Sequence, residues 1–406
     1  MLDLDRIRRD TPAVSRRCYL HNAGAALTPA PIITAMKAYL DLEAEIGGYA
    51  AADQERVRLE AVYESVARLI NAAPDEIALV ENATVAWQMA FYAQRFQPGD
   101  RIITCQAEYG ANYVAFLQMA RRTGVRIDVV PNDASGELDV DALARMIDGT
   151  VKLVAVTWVP TNGGLVNPAA AIGAITRRAG IPFLLDACQA VGQMPVDVAA
   201  IGCDMLSATG RKFLRGPRGT GFLYVRRELL QTLEPPMIDH YGAEWVARDQ
   251  YRLRPDARRF ENWENNYAAR LGLGLAVTMP WRSGWRRLRR AAITCRAACA
   301  QHCRPFRASA CWILAATRRP SSAFSLMALP PVRWLPQRCR RASPSGSPIR
   351  RAPGSMPRRA HCRPLSGLRR TTTIRMMRSN GLQAFARHLP GATERRGHCA
   401  NAGSGA

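Results

Sequence analysis

Residues 183–221, FLLDACQAVGQMPVDVAAIGCDMLSATGRKFLRGPRGTG, contain two short apolar runs that each lead into a reactive side chain. Asp186 follows the run 183–185, and Lys212 comes shortly after the run 205–207. Near-continuous apolar runs of this length are typical of parallel strands that are buried on both faces. Because ligands bind beyond the carboxyl ends of such strands, the stretch predicts a site at one sheet edge that contains both residues.

The same pattern extends over residues 60–226, where short apolar runs alternate with longer amphipathic stretches. This alternation predicts an α/β fold with a mainly parallel seven-stranded sheet and helices on both faces. The predicted strands are 77–80, 101–104, 126–130, 153–158, 183–185, 205–207 and 221–225, and the helices between them include 85–95, 112–123 and 168–179. Outside this region, 29–53 predicts a helix with a Gly-Gly turn, 54–71 predicts another helix, and 260–277 predicts a loop that enters a Gly-rich helix.

The formal net charge of +23 is concentrated at one end of the chain. Residues 278–406 contain 26 Arg, no Lys and a single acid, Glu394, whereas the rest of the chain has 30 basic and 32 acidic residues. A near-neutral globular protein is therefore joined to an extremely basic segment. We divide the chain into an N-terminal segment, 1–20, a large domain, 21–277, and an Arg-rich tail, 278–406.

Cysteine usage and the N-terminus bear on the compartment. The four cysteines before residue 278 lie in apolar or strand-like stretches, which is typical of a reduced cytosolic protein. The opening MLDLDRIRRD has no apolar core of a signal peptide. No apolar run approaches the ~18–20 residues that a membrane span needs. We therefore expect a cytoplasmic protein with no membrane partner and no metal site.

Lys212 and Asp186 are the residues whose positions predict covalent cofactor chemistry. The other two lysines, Lys37 in a helix pattern and Lys152 at a strand start, fit solvated surface positions. A buried lysine can supply an amine for Schiff-base formation, although position alone leaves a structural role equally open. Asp186 fits either a helix N-cap or the carboxylate that keeps a pyridinium nitrogen protonated. Their occurrence together, 26 residues apart, favours the cofactor role.

A phosphate group and an aromatic contact are predicted at the same edge. Thr84 lies at the start of a helix, where free amides and the helix dipole bind phosphate. Thr209 and Arg211 would add a second hydroxyl and a charge. Tyr109 follows a predicted strand and would place its ring on a cofactor, with a half-buried core position equally open.

Together these residues resemble the class V aminotransferases, the fold-type-I family of pyridoxal 5'-phosphate (PLP) enzymes that includes cysteine desulfurases, selenocysteine lyases and related C–S lyases. The resemblance runs from YLHNAG at 19–24 to about Val277, and is most specific over LDACQAV at 185–191 and over 209–221. It implies that residues 21–277 form a PLP-binding domain of a homodimeric enzyme with an amino-acid substrate.

The resemblance also assigns roles to individual residues. Lys212 would hold PLP as a Schiff base and later move the substrate proton, and Asp186 would pair with the pyridine nitrogen. The other implied cofactor contacts are Gln189 at the ring hydroxyl, Tyr109 in place of the family's stacking histidine, Asn162 at the ring (with a gap in the alignment), and the Ala83 amide, Thr84, Thr209 and Arg211 at the phosphate.

The family's C-terminal small domain, which carries the arginine that binds the substrate carboxylate, is expected after Val277, but residues 278–406 show no such pattern. We back-translated the tail and regrouped its bases one position earlier. Residues 365–380 then read VVRASPHYYNPDDEIE, which resembles the family's terminal motif and contains that arginine. Residues 278–290 regroup as a continuing helix, DYALAVGLAAIAA, and 311–314 regroup as a strand-like VLDL.

We infer that one base is missing near codons 276–278. The small domain would then be scrambled, and the tail would be a largely disordered, out-of-frame translation. A disordered nucleic-acid-binding arm on an inactive PLP fold explains the charge equally well. It does not explain why the shifted frame spells the missing domain, so we favour the frameshift and expect no nucleic-acid partner.

The expected reaction is β-elimination of an S-substituted cysteine. The stretch EAEIGGYA, 43–50, resembles the branch of the family that contains hercynylcysteine sulfoxide lyase, which cleaves a C–S bond. The regrouped tail lacks the cysteine that a desulfurase uses as sulfur acceptor. An aminotransferase or an epimerase is the alternative. The chain as written is expected to bind PLP weakly or not at all, and to turn over no substrate.

Independent resequencing of the gene across codons 270–285 tests the frameshift. We expect one additional base there, because the same one-base shift regroups all three tail segments into the family pattern. A confirmed absence of that base would mean either that the gene is broken or that the basic tail is real, and nucleic-acid binding by residues 278–406 would then be tested next.

Overall fold

The computed structural model describes residues 4–17, 19–161 and 164–279, which form an α/β fold around a seven-stranded sheet. The strands are β1 (Ile77–Val80), β2 (Arg101–Cys105), β3 (Arg126–Val130), β4 (Val151–Thr157), β5 (Phe183–Asp186), β6 (Met205–Thr209) and β7 (Gly221–Val225). Their order across the sheet is β1-β7-β6-β5-β4-β2-β3. Strands β2 to β6 pair in parallel, whereas β7 runs antiparallel between β6 and β1. The predicted mainly parallel α/β sheet is confirmed.

Helices cover both faces of the sheet, as predicted. The α-helices are α1 (Leu4–Arg9), α2 (Ala30–Ile46), α3 (Gly48–Gln54), α4 (Arg56–Ile70), α5 (Ala83–Tyr92), α6 (Gly110–Thr123), α7 (Val140–Met146), α8 (Ala169–Ala179), α9 (Val198–Ile201), α10 (Arg227–Leu230) and α11 (Tyr267–Thr278). Short 3-10 helices lie at Pro12–Ser15, Pro74–Glu76 and Ala257–Phe260.

Two elements were not predicted. The Gly-Gly turn predicted within 29–53 is present at Gly47, whose φ of 85° ends α2, but the residues after it form a second helix, α3. A positive φ is accessible to glycine at little cost, so the Gly-Gly pair bends the chain between two helices. A two-stranded hairpin, β8 (Ala243–Ala247) with β9 (Gln250–Leu253), was not predicted.

The alternation of side chains along each strand separates two apolar cores. In β5, Phe183 and Leu185 pack into one core with α4, α8 and α11. Leu184 points to the opposite face and packs into the other core with α5 and α6. Because all three are fully buried, the strand is covered on both sides, which explains its continuous apolar sequence.

A buried ion pair joins the helices of the first core to the sheet. Glu261, 2% exposed, accepts hydrogen bonds from Tyr63 Oη (2.9 Å) on α4 and from the amide of Leu79 (2.9 Å) on β1. Arg270 on α11 donates to the same carboxylate at 2.6 Å. Burial alone would lower the pKa of Arg270, but the Glu261 carboxylate beside it raises that pKa, so the guanidinium stays charged.

The predicted tail, 278–406, lies outside the described residues apart from Thr278 and Met279. The predicted divisions at residues 20 and 277 therefore stay predictions. In the described part of the chain, no helix is both long enough and apolar enough to cross a membrane.

Replacing Arg270 with Met should destabilise the fold by about 3–5 kcal/mol, because it leaves the Glu261 charge buried without its partner. Urea denaturation followed by circular dichroism measures this change. Arg252→Met is the matched control, since Arg252 pairs with Glu244 on the exposed hairpin and should change stability far less. Equal effects of the two substitutions would contradict the structural role of the buried pair.

Candidate active site

Lys212 lies in a closed loop between β6 and β7. The loop is held by hydrogen bonds from the Gly210 amide to Thr220 O (2.9 Å) and from the Gly216 amide to Gly210 O (2.8 Å). Lys212 is 8% exposed. Gly192, with a φ of 101°, packs so closely on the backbone of Phe213 that a Cβ there would overlap it. The lysine backbone is thus fixed from both sides.

Asp186 ends β5, next to the strand that leads into the lysine loop. It is 5% exposed and pairs in register with Ser207 of β6. Its carboxylate accepts hydrogen bonds from the Cys188 amide (3.0 Å) and from Asn112 Nδ2 (3.0 Å). A buried carboxylate with two donors is held in one orientation. The helix N-cap role considered for Asp186 does not apply, because no helix begins directly after it.

Tyr109 is the aromatic residue beside the lysine. Its ring centroid lies 5.9 Å from Lys212 Nζ, at the start of α6. The side chain is 42% exposed, so Tyr109 is not a core tyrosine. The ring therefore borders the space that the lysine reaches.

Strands β1, β6 and β7 and the start of α5 approach one another closely at Gly221. Gly221 pairs with Thr209 on one side and with Val80 on the other. A Cβ at Gly221 would lie 2.8 Å from Ala208 O and 2.9 Å from the Ala83 amide nitrogen, so only glycine permits this approach. The start of α5, with exposed Thr84, is thereby brought to the end of β6.

Gln189 and Arg211 contact the segment 23–26, which crosses the same edge. Gln189 Nε2 donates to Ala23 O at 3.2 Å, and the Arg211 guanidinium donates to Gly24 O. Gln189 Oε1 is buried and has no hydrogen-bond partner among the described residues. An acceptor of this kind needs a donor that the described residues do not supply.

One predicted site residue is not described by the structure, and two residues that were not predicted lie at the site. Asn162 lies outside the described residues, so its predicted ring contact stays a prediction. Glu108 and Asn112, which were not predicted as site residues, lie beside Asp186. Asn112 Nδ2 donates to Glu108 Oε1 at 2.8 Å. Burial raises the pKa of Glu108, and the nearby Asp186 carboxylate raises it further. An acidic residue directly before Tyr109, after a predicted strand, was the available signal.

The thiols of the described residues are poor nucleophiles. Cys105 and Cys203 are buried, and Cys188 is partly buried beside Asp186. Burial raises the pKa of each thiol, and a neighbouring carboxylate adds to the shift in each case. A thiol with a raised pKa is protonated at neutral pH and reacts slowly.

The arrangement fits PLP. Among the described residues, Lys212 forms no ion pair, so its amine is not neutralised by a carboxylate. Asp186, the unpartnered Gln189 Oε1 and the helix start at Ala83, which lies beside the end of β6, match the ring nitrogen, ring hydroxyl and phosphate that PLP presents. No group of metal-ligating side chains occurs in the described part of the chain.

Comparison with known proteins agrees with this arrangement. Residues 18–302 match the class V aminotransferase family, and the chain belongs to that family of PLP enzymes, as predicted. It is 33% identical to a probable cysteine desulfurase of Methanothermobacter thermautotrophicus over 70% of this chain and 72% of the relative. It is 37% identical to a cysteine desulfurase of Yersinia pestis over 68% of this chain and 71% of the relative.

A solved structure shows the same fold. The apo cysteine desulfurase of Thermococcus onnurineus NA1 aligns with a TM-score of 0.67 and 28% identity, covering 74% of this chain and 76% of that chain. The fold-type-I assignment is thereby confirmed.

Native-state alkylation with iodoacetamide at pH 7.5 should label Cys105, Cys188 and Cys203 at least about tenfold more slowly than in the urea-unfolded chain, because their thiols are protonated and at least partly buried. Peptide mass spectrometry measures each site, and the unfolded chain is the control. Rapid labelling of Cys188 in the folded protein would contradict this and would make it a candidate sulfur acceptor.

Proposed function

We propose that the site performs PLP-dependent cleavage of a C–S bond by β-elimination on an S-substituted cysteine. The observation that carries this proposal is the placement of Lys212, 5.9 Å from the Tyr109 ring, at the same sheet edge as buried Asp186. Bound PLP supplies an electron sink that stabilises negative charge at the substrate Cα. The residues of the chain then determine where protons are held and moved.

Each residue has a defined task. Asp186 would hold a proton on the ring nitrogen, and Gln189 Oε1 would accept a hydrogen bond from the ring hydroxyl. Lys212 Nζ would hold the cofactor's aldehyde and then move a proton at the substrate Cα. The Tyr109 ring would cover one face of the cofactor and exclude water there. The amide of Ala83, with Thr84, Thr209 and Arg211, would bind the phosphate.

Two observations favour elimination from cysteine derivatives. The relatives that match over two thirds of their length are named cysteine desulfurases, which supports a cysteine-like substrate. The described thiols are protonated, and they are buried or, for Cys188, partly buried. This argues against sulfur transfer to Cys105, Cys188 or Cys203 and supports release of a thiol. We propose a homodimer in the cytoplasm as the state of the in-frame enzyme.

The chain as written would retain only part of this function. Its proposed cofactor residues all precede residue 278, so weak PLP binding is expected. The arginine for the substrate carboxylate is spelled only in the shifted frame, so we expect no turnover. This chain would thus keep weak cofactor binding but lose substrate binding.

Borohydride treatment of the full chain with millimolar PLP should attach a pyridoxyl group to Lys212, because the buried amine faces the cofactor site. Peptide mass spectrometry locates the attachment. Lys212→Ala should abolish it there, whereas Lys152→Ala, which removes an exposed lysine that contacts Gly149 O, should leave it unchanged. Labelling of Lys152 in preference to Lys212 would rule out the proposed site.

The same preparations separate binding from turnover. A frame-restored chain should convert an S-substituted cysteine to thiol, pyruvate and ammonia, whereas the chain as written should release none of them. Pyruvate is measured with a coupled dehydrogenase. Steady turnover by the chain as written would show that the proposed loss of substrate binding is wrong.

A further inference from the structure

Glu108 and Asn112 form hydrogen bonds next to Asp186, and the function proposed above assigns no role to them. We call Glu108, Asn112 and Asp186 the carboxylate–amide relay. Asn112, in the first turn of α6, is 4% exposed and donates to both carboxylates, at 2.8 Å to Glu108 Oε1 and at 3.0 Å to Asp186 Oδ2. Both hydrogens of its amide are therefore engaged, which fixes the plane of the side chain.

Glu108 anchors the relay to the sheet. Its carboxylate accepts hydrogen bonds from the amides of Tyr109 (2.9 Å) and Thr157 (2.9 Å) and from the hydroxyls of Thr104 (3.0 Å) and Thr157. Thr104 lies in β2, and Thr157 ends β4. A carboxylate with donors from two strands has little freedom to rotate, so it presents a fixed acceptor to Asn112.

Asp186 is fixed on both carboxylate oxygens. Oδ1 accepts from the Cys188 amide and Oδ2 accepts from Asn112, each at 3.0 Å. Its backbone pairs with Thr157 of β4, the residue that also donates to Glu108. The hydrogen bonds of the relay fix the carboxylate of Asp186, and the strand pairing fixes its backbone.

We propose that Glu108 and Asn112 are positioning residues that hold the Asp186 carboxylate in the orientation in which it pairs with the pyridine nitrogen of PLP. This inference rests on the proposed function, since the pairing requires PLP in the site. Glu108 acts through Asn112. Without the shared amide, two carboxylates would face each other in a buried site, and Asp186 Oδ2 would lose its donor.

Two ligands distinguish positioning from general support of the fold. PLP is compared with the analogue that has CH in place of the ring nitrogen. Dissociation constants for the full chain are obtained from borohydride trapping at Lys212 as a function of ligand concentration. Asn112→Ala and Glu108→Gln should each weaken PLP binding about tenfold, the effect of losing one hydrogen bond to a charged group. Neither should change binding of the analogue, which offers Asp186 no nitrogen.

A double variant tests whether the two residues act as one unit. Glu108→Gln combined with Asn112→Ala should weaken PLP binding no more than either change alone, because both break the same relay. Glu64→Gln is the matched control, as Glu64 forms only an exposed pair with Arg68. Circular dichroism monitors folding, and Glu108→Gln carries the test if Asn112→Ala does not fold.

The outcomes separate this inference from the proposed function. The positioning role would be overturned if the Glu108 and Asn112 variants weakened binding of PLP and the analogue equally, or weakened neither. The proposed function would still stand if Asp186→Asn weakened binding of PLP but not of the analogue. If Asp186→Asn failed to discriminate between the ligands, or if borohydride trapped PLP on Lys152 in preference to Lys212, the proposed function itself would fall.

Discussion

The close approach of Gly221 to the start of α5 is the constraint on which the site depends. Because β7 lies between β1 and β6, Gly221 must pair with both neighbours while the helix that follows β1 begins directly beside it. Any side chain there would push α5 away from β6. The same pairing closes the loop that carries Lys212. One backbone contact therefore positions both the start of α5, where phosphate binding is proposed, and the reactive amine.

Much of this arrangement was predictable, because apolar continuity identifies buried strands and the parallel order then determines which ends share an edge. Asp186 and Lys212 were found in this way. The antiparallel direction of β7 was not, since a strand buried on both faces reads the same in either direction. The hairpin β8–β9 escaped notice because both strands are largely exposed and mixed in polarity. Asn112 and Glu108 were missed because each reads as an ordinary helix-start residue, and their partners are brought near only by the fold.

The described chain keeps its buried charges in two separate places with different partners. Glu261 and Arg270 neutralise each other between α4, β1 and α11, so that pair supports the fold. At the sheet edge, Asp186 and Glu108 are carboxylates joined by a neutral amide, with Lys212 near Tyr109 rather than paired to them. The Asp186 carboxylate favours a cationic group beside it, and a protonated pyridine ring is such a group. The contrast explains why one cluster needs no ligand and the other is suited to one.

The position of the break in the sequence pattern has a structural meaning. Helix α11 ends at Thr278, after burying Leu273 and Val277 in the same core as the central strands. Both of these core residues thus precede the change in composition. A shift of frame at this point would leave the sheet, the lysine loop and the relay intact, while replacing the segment in which the family carries its substrate-binding arginine. The residues that form the cofactor site would therefore precede the shift, and the arginine that binds the substrate carboxylate would follow it.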